Sequence, residues 1–329
     1  DKPILNGSFL LGDRSDNGKF GWMLSASFND NDFGSDNIEA EWTDEFEYYT
    51  GVDDTEGDPI LEEVDVDPYT NVFEQREYLV QRVRRSFSAN MDYKFDANNS
   101  IFLKTMYNWR DDRENRFRLE HEILDAEDIE LGDFTITNGV PTRFPAAIAR
   151  QSKGGIDNNR NKNRRLEDQR MQNYSLGGDH LWGNLKVDWM TSFAKASEER
   201  LNERYAQYES EYIVNNDVFN PRYPRFSAAD TGDETNFDNF EFDEITEENQ
   251  YTEEEDVNVF INFQIPADFF GKGDGFVKFG GRGRFKSKIR DNNFFEFDLE
   301  DEFSTLSTVP LKDYSDPDYY AGSQYLIGS

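Results

Sequence analysis

The chain has 329 residues, and its 68 aspartates and glutamates outnumber its 35 lysines and arginines, which gives a formal net charge of -33. It has no cysteine, which excludes disulfides, thiolate zinc sites and thiol nucleophiles. The acidity argues against nucleic acid as a partner, because phosphate binding needs clustered lysine and arginine. The 29 phenylalanines and 16 tyrosines are more than a disordered acidic chain typically holds.

Alternation of apolar and polar residues predicts eight strands. In chain order they lie near residues 4–14, 20–29, 76–95, 101–118, 168–181, 184–197, 256–265 and 275–290. The fourth shows the pattern clearly, because an apolar set alternates with a mostly polar set. The apolar set is Ile101, Leu103, Thr105, Tyr107 and Trp109, and the polar set is Phe102, Lys104, Met106, Asn108 and Arg110. Each strand therefore has one apolar face.

Short and long connections alternate between these strands. The short ones are rich in Asn, Asp and Gly, as in "SDNGK" after the first strand. The long ones lie near residues 30–75, 119–167, 198–255 and 300–329. In a meander this arrangement places all short turns at one end and all long loops at the other, which is typical of bacterial outer-membrane barrels.

The acidic residues concentrate in two of the predicted loops. Residues 31–70 contain fifteen acids and residues 228–256 contain thirteen, and neither segment contains Lys or Arg.

From the strand pattern and the alternating connections we expect an all-β fold over residues 1–329. The predicted fold is an antiparallel up-and-down meander that forms part of a large transmembrane outer-membrane β-barrel with long extracellular loops.

Four stretches resemble the barrel of TonB-dependent outer-membrane receptors. They are "DNGKFGWMLSASFNDNDFGSDNIEAEW", "REYLVQRVRRSFSANMDYKFDANNSIFLKTMYNW", "LEDQRMQNYSLGGDHLWGNLKVDWMTSFAKASEE" and "GFVKFGGRGRFKSKIRDNN". The likeness covers most of residues 1–300 as strand and turn order. It implies a partial barrel of about eight strands, with the family's plug domain and TonB box outside this sequence.

The resemblance implies active uptake of a scarce nutrient, a ferric siderophore or an oligosaccharide, across the outer membrane of a Gram-negative bacterium. The implied partners are the TonB energy-coupling complex acting through the plug, outer-membrane lipid, lipopolysaccharide and the substrate. We expect no enzymatic activity and no catalytic residues. A passive porin is the nearest alternative. From another class, a secreted soluble β-rich adhesin or carbohydrate-binding module would bury its apolar faces between two sheets.

Candidate substrate contacts fall into two groups. The inward-facing cations are Lys104, Arg110, Lys278, Arg282 and Arg284, and the external aromatics are Tyr48, Tyr49, Tyr319 and Tyr320. A basic group at Arg160, Lys162, Arg164, Arg165 and Arg170 could contact lipopolysaccharide phosphates, but we favour neutralisation of the acidic loops.

Two acidic stretches could supply oxygen ligands to Ca²⁺, namely Asn29–Asp32 and Asp65–Asn71. Neither has the spacing of a twelve-residue calcium loop, so we favour solvated external loops and expect no cofactor.

Overall fold

The computed structural model describes residues 3–155, 165–216, 224–229, 236–268, 271, 273, 275–297 and 305–308. Within them the chain is all-β, with one eleven-stranded sheet and two short 3-10 helices, Ala126–Asp128 and Leu306–Thr308. The strands are β1 (Leu5–Arg14), β2 (Phe20–Asp53), β3 (Pro59–Lys94), β4 (Asn99–Ile123), β5 (Thr135–Thr137), β6 (Val140–Gly155), β7 (Arg165–Trp182), β8 (Leu185–Asn216), β9 (Phe226–Ala228), β10 (Glu241–Pro266) and β11 (Phe276–Glu296).

The sheet is an antiparallel meander with eight positions across it. The order is β1-β2-β3-β4, then β6 and β7 together, then β8-β10-β11. β6 and β7 share one position, because β4 pairs with β7 along Asn99–Glu114 and with β6 along Arg116–Ile123. The small strands β5 and β9 pair with β6 and β8. Each of the eight sequence-predicted strands lies largely within one of these long strands, which confirms the predicted strand order.

The two ends of the sheet differ. We call the end with the short connections, between β1 and β2, β3 and β4, β7 and β8, and β10 and β11, the lower end. At the opposite, upper end the strands run far beyond their predicted limits, so that β2 has 34 residues and β3 has 36. The two meet at a tight turn around Asp54–Asp58. The segment near 30–75 is therefore a hairpin and not an irregular loop.

The other predicted loops are also largely strand. The segment near 119–167 contains the end of β4 together with β5 and β6, and the segment near 198–255 contains the end of β8, β9 and the first half of β10. Of the segment near 300–329, only residues 305–308 are described. Cross-strand ion pairs stabilise these polar extensions, as between Arg76 and Glu39 (2.7 Å) and between Arg204 and Glu247 (2.6 Å).

The edges of the sheet are β1 and β11. β1 pairs with β2, and β11 pairs with β10. In the part of the chain that the structure describes, β1 and β11 do not pair with each other. The described sheet is therefore open, and each edge presents unpaired backbone N–H and C=O groups.

The buried core lies at the upper end. Aromatic rings from β2, β3, β6 and the residue before β5 pack there, with Phe46 4.7 Å from Phe134 and Tyr69 5.7 Å from Phe144 between ring centroids. Other buried members come from β6, β8 and β10, including Ile148, Tyr208 and Ile245. The hydrophobic core therefore holds the upper extensions together, and it lies away from the lower half of the sheet.

Candidate functional site

The apolar residues of neighbouring strands line up in rows on one face of the lower half. Residues directly opposite each other in adjacent antiparallel strands point to the same face. The register therefore defines an apolar face, whose two central rows are Trp22, Met91, Leu103, Leu176, Thr191 and Val259, and Leu24, Ala89, Thr105, Tyr174, Phe193, Val257 and Phe285. Each row crosses the sheet from β2 to β10 or beyond.

The large side chains on this face are exposed. Phe87 is 50% exposed, Val259 45% and Phe285 69%, and Phe9 on the first edge strand is 55% exposed. Monomeric soluble proteins seldom expose contiguous apolar patches of such extent. The apolar face of the lower half is therefore the most unusual surface in the described part of the molecule.

The apolar band has a defined height. Ile101 and Trp109 are its limits on β4, and they are eight residues apart, or about 27 Å of strand at ~3.4 Å per residue. On β10 the apolar stripe runs over the same length, from Ile265 to Val257, after which the same face carries Glu255 and Glu253. With strands tilted by ~40°, 27 Å of strand corresponds to about 20 Å of height, close to the ~25 Å apolar band of outer-membrane barrels.

Charged and aromatic side chains form the upper border of the band. The Trp109 ring lies between two guanidinium groups, that of Arg85 at 4.6 Å and that of Arg170 at 5.0 Å. Trp109 Nε1 donates to Asp111 at 2.8 Å, and Arg85 pairs with the same carboxylate at 3.1 Å. An amphipathic aromatic held among charges at the end of an apolar stripe is the arrangement found at membrane interfaces.

The opposite face of the lower half is polar and contains a groove. A cavity of about 720 Å³ is lined by residues of six successive strands, from β3 to β11. Most of its lining belongs to the polar face, including Arg84, Asn108, Arg110, Glu198 and Lys288. The polar face is therefore concave at this level of the sheet.

All five predicted inward-facing cations lie on this polar face. Lys104 and Arg284 lie in the same row across β4, β7, β8, β10 and β11, whereas Arg110 lies higher and lines the groove. Lys278 and Arg282 lie toward the lower end of β11. Their role in substrate binding stays a prediction.

Several of these cations already have protein partners. Arg110 pairs with Asp112 and donates to Gln169 at 3.1 Å. Arg284 donates to Asp256 at 2.7 Å through Nε. The contacts of the others are longer: Lys278 Nζ lies 3.7 Å from Asp188, Arg282 donates to Asn258 at 3.4 Å, and Lys104 Nζ lies 4.9 Å above the Phe102 ring.

The four predicted external aromatics do not share one environment. Tyr48 is only 8% exposed and packs on Phe134, so it belongs to the upper core and not to an open binding surface. Tyr49 lies at the hairpin tip, where its hydroxyl donates to Asp53 at 2.7 Å. Tyr319 and Tyr320 lie outside the described residues.

Three exposed cations near the groove were missed as candidates, namely Arg84, Lys288 and Arg290. Lys288 and Arg290 continue the every-second-residue cations of β11, a pattern visible in the sequence. Arg84 shares its face with Ser86, Ser88 and Asn90, but only the register shows that it lies directly opposite Arg110.

Above the band, the polar face carries a paired carboxyl group. Glu74 and Glu120 lie opposite each other on β3 and β4, with Arg76 and Arg118 beside them. Burial, together with a hydrogen bond to Glu74, raises the pKa of Glu120 to about 8. Burial opposes ionisation of Glu74 as well, but the proton of Glu120 and the two guanidinium groups outweigh it and lower the Glu74 pKa.

The upper core contains a buried histidine. His121 is 7% exposed, and its Nδ1 is hydrogen-bonded to the Tyr212 hydroxyl, with Phe73 and Phe226 packed nearby. Burial, reinforced by the charge of Arg150, lowers the pKa of His121 to about 4. The imidazole is therefore neutral at physiological pH.

The two stretches considered for calcium, Asn29–Asp32 and Asp65–Asn71, lie within β2 and β3. Successive side chains of a strand point to opposite faces, so such a stretch does not wrap around one ion. Across the described residues, no group of three or more His, Asp or Glu side chains is placed to hold a metal ion.

Of the predicted basic group, Arg160, Lys162 and Arg164 lie outside the described residues, and Arg165 pairs with Glu114 at 3.3 Å.

Searching the described residues for a helix both long and apolar enough to cross a membrane finds none. No protein-family model, curated protein or solved structure matches this chain. Function is therefore inferred from the two faces of the lower half of the sheet.

Proposed function

We propose that this chain forms part of the wall of a large outer-membrane β-barrel in a Gram-negative bacterium, with its apolar face against lipid and its polar face toward the lumen. The observation that supports this most strongly is the exposed apolar band, which crosses every strand position of the sheet. Lipid is the occupant that fits the band, because its height of about 20 Å approaches that of a spanning barrel.

The edges of the sheet fit the same proposal. In lipid every backbone polar group must be paired within the protein, so open sheet edges are not tolerated. β1 and β11 would therefore pair with further strands that complete a wider barrel. Eight strands alone enclose a space that their own side chains fill, whereas the groove on the polar face is open and about 720 Å³ in volume.

The proposed role is uptake of a scarce nutrient, a ferric siderophore or an oligosaccharide, in the manner of the TonB-dependent receptors that the sequence resembles. The plug and its contact with the TonB energy-coupling complex would be supplied from outside this chain. The polar face would line the path of the substrate, and the extended hairpin of β2 and β3 would stand above the outer leaflet. The proposed uptake makes or breaks no covalent bond.

The test is membrane partitioning combined with gel mobility. The protein is expressed from its full-length gene, outer membranes are isolated, and boiled and unboiled detergent extracts are compared. We expect a protein that requires detergent and whose mobility shifts on boiling, because folded barrels resist the gel detergent until heated. A protein that stays soluble without detergent and shows no shift would contradict the proposal and favour the secreted β-rich module.

A further inference from the structure

We propose that the polar-face groove is a binding site for an anionic, hydroxyl-rich ligand, an acidic oligosaccharide in chemical class. The site is the cavity of about 720 Å³ whose charged margins are Arg84 on β3 and Lys288 on β11. Its part in transport rests on the proposed function, but the binding itself does not.

The charged groups of the groove differ in whether they have partners within the protein. Glu198 accepts from Gln169 at 2.7 Å and pairs with Arg200 at 2.8 Å, and Glu254 pairs with Lys286 at 2.6 Å. The carboxylates of the groove are thus neutralised by partners of the protein itself.

The cations at the margins are different. Among the described residues, none forms an ion pair or a side-chain hydrogen bond with Arg84, Lys288 or the neighbouring Arg290, and all three are exposed. Arg84 and Lys288 line the groove, and Arg290 lies two residues beyond Lys288 on the same face of β11. Uncompensated cations in a concave site attract an anion and steer its approach.

The positive charge is a property of the whole lower polar face. From the lower end up to the row of Arg84, this face holds twelve cations against six carboxylates in a chain whose net charge is -33. The cations are Arg14, Arg84, Lys94, Lys104, Arg110, Lys186, Lys278, Arg282, Arg284, Lys286, Lys288 and Arg290, and the acids are Asp92, Asp179, Asp188, Glu198, Glu254 and Asp256. The acidity of the chain therefore lies elsewhere.

The floor between the charged margins fits hydroxyl groups. It presents neutral donors and acceptors, among them Ser86, Asn108 and Thr252, beside the small side chain of Ala196. Such side chains hydrogen-bond to sugar hydroxyls without requiring a charge.

The spacing of the margins favours an extended ligand. Arg84 and Lys288 are separated by five steps between neighbouring strands. At ~4.8 Å a step this is at most about 24 Å, and the concavity shortens it. A ligand that reaches both margins must carry its negative charges on separate units, as an acidic oligosaccharide does.

The test uses the protein expressed from its full-length gene, purified in a non-ionic detergent, and fluorescein-labelled dextran sulfate at low ionic strength. Neutral dextran and diethylaminoethyl-dextran of the same length are the comparison probes, and binding is followed by fluorescence anisotropy. We expect dextran sulfate to bind and the neutral and cationic dextrans to bind at least tenfold more weakly. The double variant R84Q/K288Q is expected to lower the affinity for dextran sulfate about tenfold.

The matched control is K94Q/K186Q. It removes the same charge from two exposed lysines of the same face, but at the lower end and outside the groove. We expect its affinity to change less than about twofold. Circular dichroism establishes that both variants keep the β-sheet of the parent.

Equal losses in the two double variants, or no binding of dextran sulfate by the parent, would overturn the proposed site. The outcome is separable from the proposed function. If the protein needs no detergent and only R84Q/K288Q loses binding, the proposed site stands and the proposed membrane role is wrong. If the protein requires detergent and both double variants lose binding equally, the proposed membrane role stands and the proposed site is wrong.

Discussion

Arg118 bridges Glu74 and Glu120 through one nitrogen, which lies 3.3 Å from the first carboxyl and 2.8 Å from the second. The two carboxyl groups face each other across β3 and β4 and are hydrogen-bonded to each other through one proton. Such a pair stays singly protonated at pH values where an isolated glutamate is ionised. This relationship makes the upper extension sensitive to pH.

Replacing Glu120 with Gln tests the shared proton. Because the pKa of Glu120 is raised to about 8 in the folded protein and is about 4.3 when unfolded, the folded state binds more protons between these values. Its contribution to stability is therefore lost as pH rises through that window. We expect the thermal midpoint of the parent to fall relative to that of E120Q between pH 5 and pH 8.5, measured by circular dichroism. E127Q, an exposed control on a 3-10 helix, should follow the parent, and a parallel course of the parent and E120Q would refute the shared proton.

The buried histidine gives a dependence of opposite sign. The pKa of His121 is about 4 in the folded protein and about 6.5 when unfolded, so the unfolded state binds more protons between them. Stability should fall as pH drops from 7 to 5, by about 2 kcal/mol. Urea unfolding of H121Q at both pH values should show this loss reduced, whereas H180Q, which removes the only other histidine, should keep it. An unchanged loss in H121Q would show that other groups cause it.

The apolar band makes adjacent residues respond differently to the same substitution. Leu176 lies on the apolar face of β7 and Ser175 on the polar face, one residue apart. Arginine at a lipid-facing position near mid-membrane costs about 2–4 kcal/mol, whereas a lumen-facing one is tolerated. We expect L176R to lower the free energy of unfolding in lipid vesicles by that amount and S175R by less than about 1 kcal/mol. Equal costs in the two variants would be incompatible with a lipid-facing band.

The guanidinium groups around Trp109 should stabilise the upper border of the band. Arg85 and Arg170, on the two strands that flank β4, hold their guanidinium groups within 5.0 Å of the ring centroid, and each such contact is worth about 0.5–1 kcal/mol at an exposed site. We expect W109L to lower the free energy of unfolding by about 1–2 kcal/mol and W109F by less. F87L, on the same face of the neighbouring strand, supplies the control for loss of an aromatic ring without flanking cations. If W109L and F87L cost the same, the arginine contacts contribute nothing measurable.

The sequence was informative where one face of a strand is apolar. The alternation from Ile101 to Trp109 and from Val257 to Ile265 predicted strands that the structure contains, with their order and their apolar face. It failed in the segments near 30–75 and 198–255, which are largely strand, because they carry charged residues on both faces and show no alternation. Those segments are strands because residues such as Arg76 and Glu39 pair across them. Pairing partners on distant segments leave no signal in local periodicity.

The candidate site was also only partly predictable from the sequence. Alternation alone predicts Lys104, Arg110 and Arg284 on the polar face, and they lie there. The groove itself depends on register and curvature, which bring Arg84 opposite Arg110 and place Lys288 at the far margin of the same groove. Tyr48 lies in a hydrophilic, acidic segment, which predicts an external position, but its ring packs against Phe134 and is buried.

In the proposed barrel, the apolar face of the lower half contacts lipid. The chain has no cysteine, so single cysteines can be placed along β8 from Val187 to Ser197, labelled with a nitroxide and studied in reconstituted vesicles by electron paramagnetic resonance. We expect oxygen accessibility to be high at Trp189, Thr191 and Phe193, and we expect a water-soluble nickel chelate to reach Ser192 and Ala194 instead. Equal access of the nickel chelate to both sets, or immobile labels shielded from both reagents at Thr191 and Phe193, would contradict this expectation.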